Sequence, residues 1–247
     1  MIEMEVCANG VASALAAQEG GAIRVELCDN LHDGGTTPSY AQIKLAKELL
    51  TISVYPIIRP RGGDFLYSDL EYNLMKTDIE ICKSLNCDGV VIGILKTDGS
   101  IDRERCAALV ELAKPMKVTF HRAFDNCINQ EKALEVIIEM GCERILSSGG
   151  KITAAEGAEK LAALIKQAAG RISIMPGAGI RESNVAEIIS TTGAIEFHST
   201  AKSVVKSSMQ YKNQEVSMGA VTDDDFYELT DAEIVKSLID KANGRQY

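Results

Sequence analysis

The amino-acid sequence predicts a TIM barrel, an eight-stranded (β/α)8 fold that is closed or nearly closed, as one domain over residues 1–247. A length of 247 residues is typical of an α/β barrel that forms a single domain. Short apolar runs alternate with longer stretches of helical periodicity, as in successive β/α units. A doubly wound open sheet is the alternative, but no Gly-x-Gly-x-x-Gly motif follows the first apolar run.

The eight strands are predicted from apolar runs that are bounded by turn residues. In chain order they cover residues 3–7, 23–28, 52–59, 89–93, 117–121, 144–147, 171–175 and 195–198. Pro56 lies inside the third run, and a proline removes one hydrogen bond from a fully paired strand. Pro56 therefore conflicts with the full length of the third strand.

Helix boundaries are predicted from capping residues. Four Ser/Thr-x-x-Gln/Glu patterns indicate helix starts: Ser39 with Gln42, Ser68 with Glu71, Thr153 with Glu156, and Thr230 with Glu233. Glycine indicates helix ends, because it adopts the left-handed conformation without penalty; the candidates are Gly20, Gly21, Gly141 and Gly170. These signals place helices between the predicted strands.

The region after the eighth strand has a different character. Residues 202–218 are rich in lysine, serine and glutamine and have no clear period, so we predict a long loop that continues into the acidic residues 223–225. Beyond it, an apolar stripe predicts the eighth helix, which closes the barrel; the stripe consists of Ile234, Val235, Leu238 and Ile239.

Alternation along the strands predicts which side chains face the barrel interior. In the fifth strand Val118 and Phe120 alternate with Thr119 and His121. The first, second and eighth strands repeat this pattern with Met4, Val6, Val25, Leu27, Ile195 and Phe197 on the apolar side. Since the helix layer requires an apolar face, we expect the polar set to point inward. His121 then lies at the carboxyl end of its strand, where barrel active sites are built.

Composition narrows the classes of function. The net charge is −9 with a pI near 5.0, and lysines and arginines form no stripe, which argues against nucleic acid and anionic membranes as partners. No run approaches the roughly 18 apolar residues of a spanning helix, and the amino terminus has no basic leader. The seven cysteines are scattered along the sequence, which favours free, reduced thiols over a disulfide framework. We therefore expect a soluble cytoplasmic protein, and a homo-oligomer remains open.

Five polar residues are predicted at or near strand ends around the mouth: Glu5, Glu26, Arg59, His121 and His198. A buried glutamate beside a histidine forms an acid/base pair whose pKa values the barrel can tune. The alternative is a structural network in which Glu5 and Glu26 form ion pairs with Arg24 and Arg59.

Two glycine-rich loops are predicted to bind an anion. Ser148, Gly149 and Gly150 follow the sixth strand, and Gly177 and Gly179 follow the seventh, so free backbone N–H groups can converge there. Arg59 and Arg61 belong to the segment "RPRGGD", whose guanidinium groups suit a carboxylate or phosphate. A small anionic ligand is the expected partner. The alternative is that the glycines only permit tight turns.

Cys7 and Cys28 end adjacent strands with the same inward parity. Neighbouring strands lie roughly 4.8 Å apart, so two thiolates there can share one soft metal ion. The alternative is that both cysteines are small buried residues of the core.

Five segments resemble the CutC-type copper homeostasis protein family: "EVCANGVASALAAQEGGAIRVELCDNLHDGGTTPSY", "IIRPRGGDFLYS", "VTFHRAFD", "RILSSGG" and "FHSTA". The resemblance implies a TIM barrel, a cytoplasmic location and a link to copper, with Cu(I) bound through Cys7 and Cys28. An exposed Met-x-Cys-x-x-Cys loop, the usual motif of copper carriers, is absent from the sequence.

Two hypotheses of function follow. In the first, the protein handles copper and binds Cu(I) through Cys7 and Cys28, with His198 as a third ligand. In the second, it is an enzyme for a small anionic or phosphorylated metabolite that Arg59 and the glycine loops hold while His121 and Glu26 exchange protons. A binding module that senses such a ligand without chemistry is a further alternative.

Overall fold

The computed structural model describes residues 1–211, 213, 215–216 and 225–244, and it forms a TIM barrel. The barrel strands are β1 Glu3–Ala8, β2 Arg24–Leu27, β3 Ser53–Pro56, β4 Gly89–Ile92, β5 Lys117–Phe120, β6 Arg144–Ser147, β7 Ser173–Pro176 and β8 Glu196–Ser199. The helices are α1 Val11–Glu19, α2 Tyr40–Leu49, α3 Asp69–Ser84, α4 Arg103–Ala113, α5 Gln130–Met140, α6 Ala158–Ala168, α7 Val185–Thr192 and α8 Ala232–Ala242. Within these described residues, none of the helices has the length and apolar character needed to span a bilayer.

Two four-stranded parallel sheets make up the barrel wall, in the orders β3-β2-β1-β8 and β4-β5-β6-β7. At the first seam, between β3 and β4, Ile57 bridges to Val91, and the Ile58 N–H donates to the Val91 carbonyl at 2.8 Å. At the second seam β7 lies beside β8 with no backbone ladder among their residues, all of which are described. The predicted fold is confirmed as a nearly closed barrel.

The structure confirms the predicted alternation of side chains except at Ile195, which lies before β8 and is exposed. Met4 and Val6 pack into the large core between the strands and the helices, whereas Glu5 and Cys7 lie inside the barrel. A second, smaller apolar cluster fills part of the interior and contains Cys7, Cys28, Tyr55, Ile57 and Val91. The interior is therefore polar on one side and apolar on another.

The third strand is shorter than predicted, and Pro56 explains why. It is the last residue of β3 and pairs with Leu27 of β2. The N–H of Ile57 donates to the Leu27 carbonyl at 3.0 Å, and the N–H of Ile58 donates to β4. Because successive N–H groups point to opposite neighbours, the missing N–H of Pro56 falls on the β4 side, at the first seam.

Two of the four predicted helix starts are confirmed. Ser39 accepts from the Gln42 N–H, and Ser68 forms a complete capping box with Glu71. Thr153 accepts from the Glu156 N–H at 3.3 Å, but it caps a turn, and α6 begins at Ala158. Thr230 is not the cap of α8, because Asp231 accepts from the Glu233 and Ile234 N–H groups instead.

The predicted glycine stops hold where the backbone is left-handed. Gly141 caps α5 with φ 87°, and Gly170 has φ 77° just after the left-handed Ala169 that caps α6. Gly21 also has a positive φ of 95°. Gly20 is the C-cap of α1, as predicted, although its φ of −73° is helical and not left-handed.

The prediction of a loop over residues 202–218 is wrong for its first part. β9, Lys202–Lys206, pairs in antiparallel fashion with β10, Phe226–Thr230. The side chains of β9 alternate between exposed and half-buried, a two-residue period that the lysines obscure in the sequence. Of the acidic run at 223–225, positions 223 and 224 lie outside the described residues.

Gly20 is required for close packing of α1 against α8. A Cβ atom added there would lie 2.5 Å from the carbonyl oxygen of Ala232 and 2.5 Å from the Cβ of Val235. We expect Gly20→Ala to lower the free energy of unfolding by about 1–3 kcal/mol, because the two helices must separate. Urea unfolding measures this change.

Gly141→Asn is the matched control for this prediction. Gly141 has a left-handed backbone, and a Cβ there meets no atom within 4 Å. Asparagine tolerates this conformation, so Gly141→Asn should be milder than Gly20→Ala. Equal losses in the two variants would show that packing at Gly20 is unimportant.

Candidate metal centre and cavity

A cavity of about 620 Å³ opens at the carboxyl ends of the strands. Six predicted site residues line it: Cys7, Glu26, Arg59, His121, Gly179 and His198. Glu5 and Cys28 lie buried beneath its wall. The remaining predicted residues, Arg61, Ser148, Gly149, Gly150 and Gly177, are not part of the lining. The structure therefore brings the predicted mouth and metal residues together, but separates most of the predicted anion-binding residues from them.

Strand register explains how the metal-binding candidates meet. Cys7 lies opposite Glu26 in the β1–β2 pair, and Glu5 lies opposite His198 in the β1–β8 pair. The ligand atoms of Cys7, Glu26 and His198 lie within 4.8 Å of one another, and all three residues are buried. The Sγ atoms of Cys7 and Cys28 are 3.4 Å apart. Two thiols, one imidazole and one carboxylate thus form a single cluster.

The cluster has unusual proton affinities. Hydrogen bonding to Cys28, then burial and the charge of Glu26, raises the pKa of the Cys7 thiol well above its ordinary value. Burial lowers the pKa of His198, but its contacts with Cys7, Glu5 and Glu26 outweigh burial and raise it well above the ordinary value. Burial raises the pKa of Glu26 as well. The Cys7 thiol and the His198 imidazole therefore both hold their protons more tightly than free side chains do.

A row of alternating charges supports this cluster from inside the barrel. The Glu5 carboxylate is hydrogen-bonded to Arg24, and its other oxygen lies 2.8 Å from the Nδ1 of His198. Arg24 also donates to Glu196 at 2.6 Å, and Arg144 donates to the second Glu196 oxygen at 2.6 Å. Burial raises the pKa of Glu5, but Arg24, His198 and Arg144 outweigh burial and lower it to about 2.

The structural alternative for the mouth is therefore half correct: Glu5 pairs with Arg24, but Arg59 pairs with neither glutamate. The Arg59 guanidinium donates to the backbone carbonyls of Asp33 and Gly35 at 2.7 and 2.6 Å and to that of Gly63 at 2.9 Å. It is 4% exposed and holds two loops of the mouth together.

His121 and Glu26 both line the cavity, but no hydrogen bond joins the two side chains. Its Nδ1 accepts from the Ala123 N–H at 3.1 Å, so the proton lies on Nε2. Burial and then the charge of Arg59 lower the pKa of His121 to about 3, which keeps the ring neutral. The histidine beside Glu26 is His198, with 3.6 Å between its Nε2 and a Glu26 carboxylate oxygen. An exchange of protons between a bound ligand and His121 and Glu26, which line the same cavity, stays a prediction.

The loop after β6 uses its N–H groups within the chain. The Asp125 carboxylate accepts from the N–H groups of Ser148 and Gly150, at 3.0 and 3.1 Å, and from the Ser147 hydroxyl. The Gly149 N–H donates to the Ser147 hydroxyl at 2.9 Å. The anion predicted at Ser148, Gly149 and Gly150 is thus the chain's own carboxylate. Asp125 closes the segment "VTFHRAFD", and no local pattern in the sequence marks it as the partner of this loop.

Two further anion-binding candidates are also occupied by contacts within the chain. The Gly177 N–H donates to the Ser147 carbonyl at 2.9 Å. Arg61 forms ion pairs with Asp64 at 2.9 Å and Glu71 at 2.6 Å on the surface, outside the cavity. Gly179 alone among the predicted glycines lines the cavity.

Comparison with known proteins identifies close relatives over nearly the whole chain. The sequence model of the CutC family matches residues 2–203. A family protein CutC from Chromobacterium violaceum is 52% identical, over 97% of this chain and 98% of the relative. The copper homeostasis protein cutC homolog of Homo sapiens is 46% identical, over 94% of this chain and 85% of the relative.

Two solved structures have the same fold as this chain. The crystal structure of CutC from Streptococcus agalactiae superposes with a TM-score of 0.78 at 38% identity, over 81% of this chain and 99% of that one. Phosphoribosyl anthranilate isomerase from Thermotoga maritima has a TM-score of 0.59 at 14% identity, covering 99% of this chain and 100% of that one, and shares the fold alone.

The neutral state of His121 predicts a specific pH dependence of stability. The pKa of His121 in the folded protein, about 3, lies below its ordinary value of 6.5. The contribution of the neutral ring to the free energy of unfolding is therefore complete above pH 6.5 and declines as the pH falls toward 3. Between pH 6 and pH 4 the wild type should lose about 1.4 kcal/mol per pH unit more than His121→Gln. Urea unfolding at several pH values tests this, and parallel curves for the two proteins would contradict it.

The Asp125 carboxylate should contribute strongly to stability. In Asp125→Ala the N–H groups of the loop after β6 lose their acceptor, and we expect a loss of about 3 kcal/mol or more. Asp98→Ala is the control, because the Asp98 carboxylate accepts similar bonds from the Ser100 N–H and hydroxyl at an exposed turn. Thermal unfolding should separate the two variants. A loss at Asp125 no larger than at Asp98 would overturn this assignment.

Proposed function

The chain belongs to the CutC family, and on this premise we propose that it is a copper homeostasis protein that binds one Cu(I) ion through Cys7 and Cys28, with His198 as a third ligand. The observation that carries the proposal is the pair of buried sulfur atoms 3.4 Å apart in the interior beneath the cavity. Soft thiolate ligands select Cu(I), and imidazole suits copper as well. The name of the human relative supports the same metal.

The sulfur pair suits a shared ion. A bond between zinc and a thiolate is about 2.3 Å long, and two sulfurs in contact with one ion of similar size lie within twice that distance. The separation of 3.4 Å meets this condition without movement of either strand. Both cysteines lie inside the barrel, Cys7 in β1 and Cys28 directly after β2, so their main chains are held by the sheet. Cys7 reaches the cavity, which provides an entry path.

The third ligand is oriented by the charge row. Because the Nδ1 of His198 is hydrogen-bonded to Glu5, its Nε2 is left on the side of Cys7 and Glu26. A carboxylate that holds the second nitrogen of a ligating histidine is a common way to fix its tautomer and orientation. When Cu(I) binds, the thiols and the imidazolium must lose protons, so binding releases protons to solvent.

A reducing compartment fits this chemistry. All seven cysteines are free thiols, and six of them are buried. Disulfides are rare where cytosolic thiol systems keep cysteines reduced, and Cu(I) is the form of copper that thiolates prefer. We therefore assign the protein to the cytoplasm.

A competition titration under reducing conditions tests the copper site. The wild type should bind one equivalent of Cu(I), and Cys7→Ser or Cys28→Ser should weaken binding by more than about 100-fold. His198→Gln should weaken it by about 10- to 100-fold, since two sulfurs remain. X-ray absorption of the loaded wild type should show two sulfur neighbours around copper.

Cys127→Ser is the matched control, because Cys127 is half-buried and its thiol contacts only the Ala123 carbonyl among the hydrogen bonds of the described chain. Its copper affinity should equal that of the wild type. If Cys7 and Cys28 can both be replaced without loss of copper, the proposed site is wrong. If Zn(II) displaces Cu(I) at equal concentration, the assignment of the metal is wrong.

A further inference from the structure

The loop after β7 presents unpaired N–H groups to the cavity. Ala178 and Gly179 have positive φ values of 79° and 68°, and the cavity wall includes Ala178, Gly179 and Ile180. The N–H groups of these three residues donate no hydrogen bond within the described part of the chain, whereas that of Gly177 does. Successive N–H groups in such a turn form a concave site for an anion. Ala178 adds a sign of function, because a non-glycine residue at positive φ is strained.

The charges around the cavity favour an anion. Besides His198, which lies beside Glu26, four cationic side chains line it, Arg59, Arg122, Arg181 and Lys202, against two carboxylates, Glu26 and Glu182. Lys202 is paired with Glu228, Arg122 with Asp125, and Glu182 with Lys241. Arg181 has no acidic partner among the residues that the structure describes. The buried Arg59 donates to three backbone carbonyls and also interacts with the Tyr67 hydroxyl, so it has no acidic partner either. Two cationic charges thus remain uncompensated at one cavity.

Two buried donors in the cavity wall also lack a partner. They are the Nε of Arg59 and the Nε2 of His121, and both residues are 4% exposed. Buried polar groups in native proteins are almost always hydrogen-bonded. An oxygen of a bound molecule would satisfy these donors, and the neutral His121 ring presents its proton at Nε2.

The remaining wall is apolar. Leu31, Ile57, Phe65 and Leu146 line the same cavity. The Phe65 ring lies 5.0 Å from the His121 ring and 5.2 Å from the Arg59 guanidinium carbon, so it packs against both residues that carry the unpaired donors. A volume of about 620 Å³ is far larger than a metal ion needs, and it lies in the range of pockets for small organic molecules.

We propose that this cavity binds a small organic phosphate monoester. Its phosphate group lies on the N–H groups of Ala178, Gly179 and Ile180 beside Arg181. Its organic group packs against Phe65 and Ile57 and carries an oxygen that accepts from the Arg59 Nε or the His121 Nε2. Three adjacent donors and a guanidinium suit a phosphate, which offers three acceptor oxygens and a double negative charge. The site is independent of the two sulfur atoms, so it goes beyond the proposed copper function.

Phenyl phosphate is the probe, with inorganic phosphate and phenylacetate for comparison. Calorimetry on the metal-free full-length protein should show one saturable site for phenyl phosphate, about tenfold or more tighter than for inorganic phosphate, because the ring is buried. Phenylacetate should bind more weakly than phenyl phosphate. In amide NMR spectra, phenyl phosphate should shift the signals of Ala178, Gly179 and Ile180 before those of other residues.

Variants separate the two ends of the site. Arg181→Gln should weaken binding of both phosphates about three- to fivefold, and Arg171→Gln, an exposed arginine before the amino end of β7, should leave it unchanged. Phe65→Leu should weaken phenyl phosphate but not inorganic phosphate. Gly179→Val should abolish binding, because φ is 68° and the added Cβ would lie 3.0 Å from the Thr153 Cγ2. If Gly179→Val does not fold, Arg181→Gln and Phe65→Leu still test the two ends of the site.

Cys28→Ser removes a proposed copper ligand that does not line the cavity. It should bind phenyl phosphate like the wild type, so failure of the copper proposal and failure of this one are distinguishable. The inference is overturned if phenyl phosphate does not saturate, or if its amide shifts avoid the loop after β7. It is also overturned if phenylacetate binds as tightly, or if Arg181→Gln and Arg171→Gln weaken binding equally.

Discussion

The Glu5 carboxylate is the interaction on which the interior of this barrel depends. It is 1% exposed, and its two oxygens contact Arg24 on one side and His198 on the other. A charge in such a place is tolerated only when it is paired and hydrogen-bonded. From Glu5 the row of alternating charges runs through Arg24 and Glu196 to Arg144. Loss of one member would leave its neighbours as buried, uncompensated charges.

The same row of ion pairs links strands of the barrel at the seam where main-chain hydrogen bonds are missing. β7 and β8 form no hydrogen-bonded ladder, yet Arg144 of β6 reaches Glu196 of β8 across this seam. The Ser173 hydroxyl of β7 also contacts the Glu196 carboxylate. At the second seam, side-chain ion pairs thus link the strands where β7 and β8 share no ladder of main-chain hydrogen bonds. At the first seam, Pro56 lacks the N–H that would donate to β4.

Histidines at the ends of two strands have opposite chemistry, and only their surroundings differ. His198 lies between two carboxylates and a thiol, which raise its pKa. His121 is buried beside Arg59 and Phe65, which leaves the ring neutral. Burial disfavours the charged form of both rings, so the neighbouring charges decide the outcome. One cavity therefore contains a metal-type cluster on one wall and a neutral donor on another.

The sequence by itself determined the architecture and the parity of the strands. A buried β/α unit needs an apolar face against its helices, and this requirement is written as alternation in β1, β2, β5 and β8. Parity also placed Cys7, Cys28 and His198 inside the barrel, where the structure brings them together. Local capping signals at Ser39 and Ser68 were readable for the same reason, since their partners lie three residues away.

Only the tertiary structure decided the partners of the polar groups. The contacts of Glu5 with His198, of Arg59 with the Gly35 carbonyl, and of Asp125 with the loop after β6 join residues that are 193, 24 and 22 to 25 positions apart. A single sequence contains no local pattern that marks residues so far apart along the chain as contact partners. Whether the N–H groups of a glycine-rich loop bind an external anion or a carboxylate of the same chain depends on which side chains the fold places beside that loop. That is a property of packing, not of local sequence.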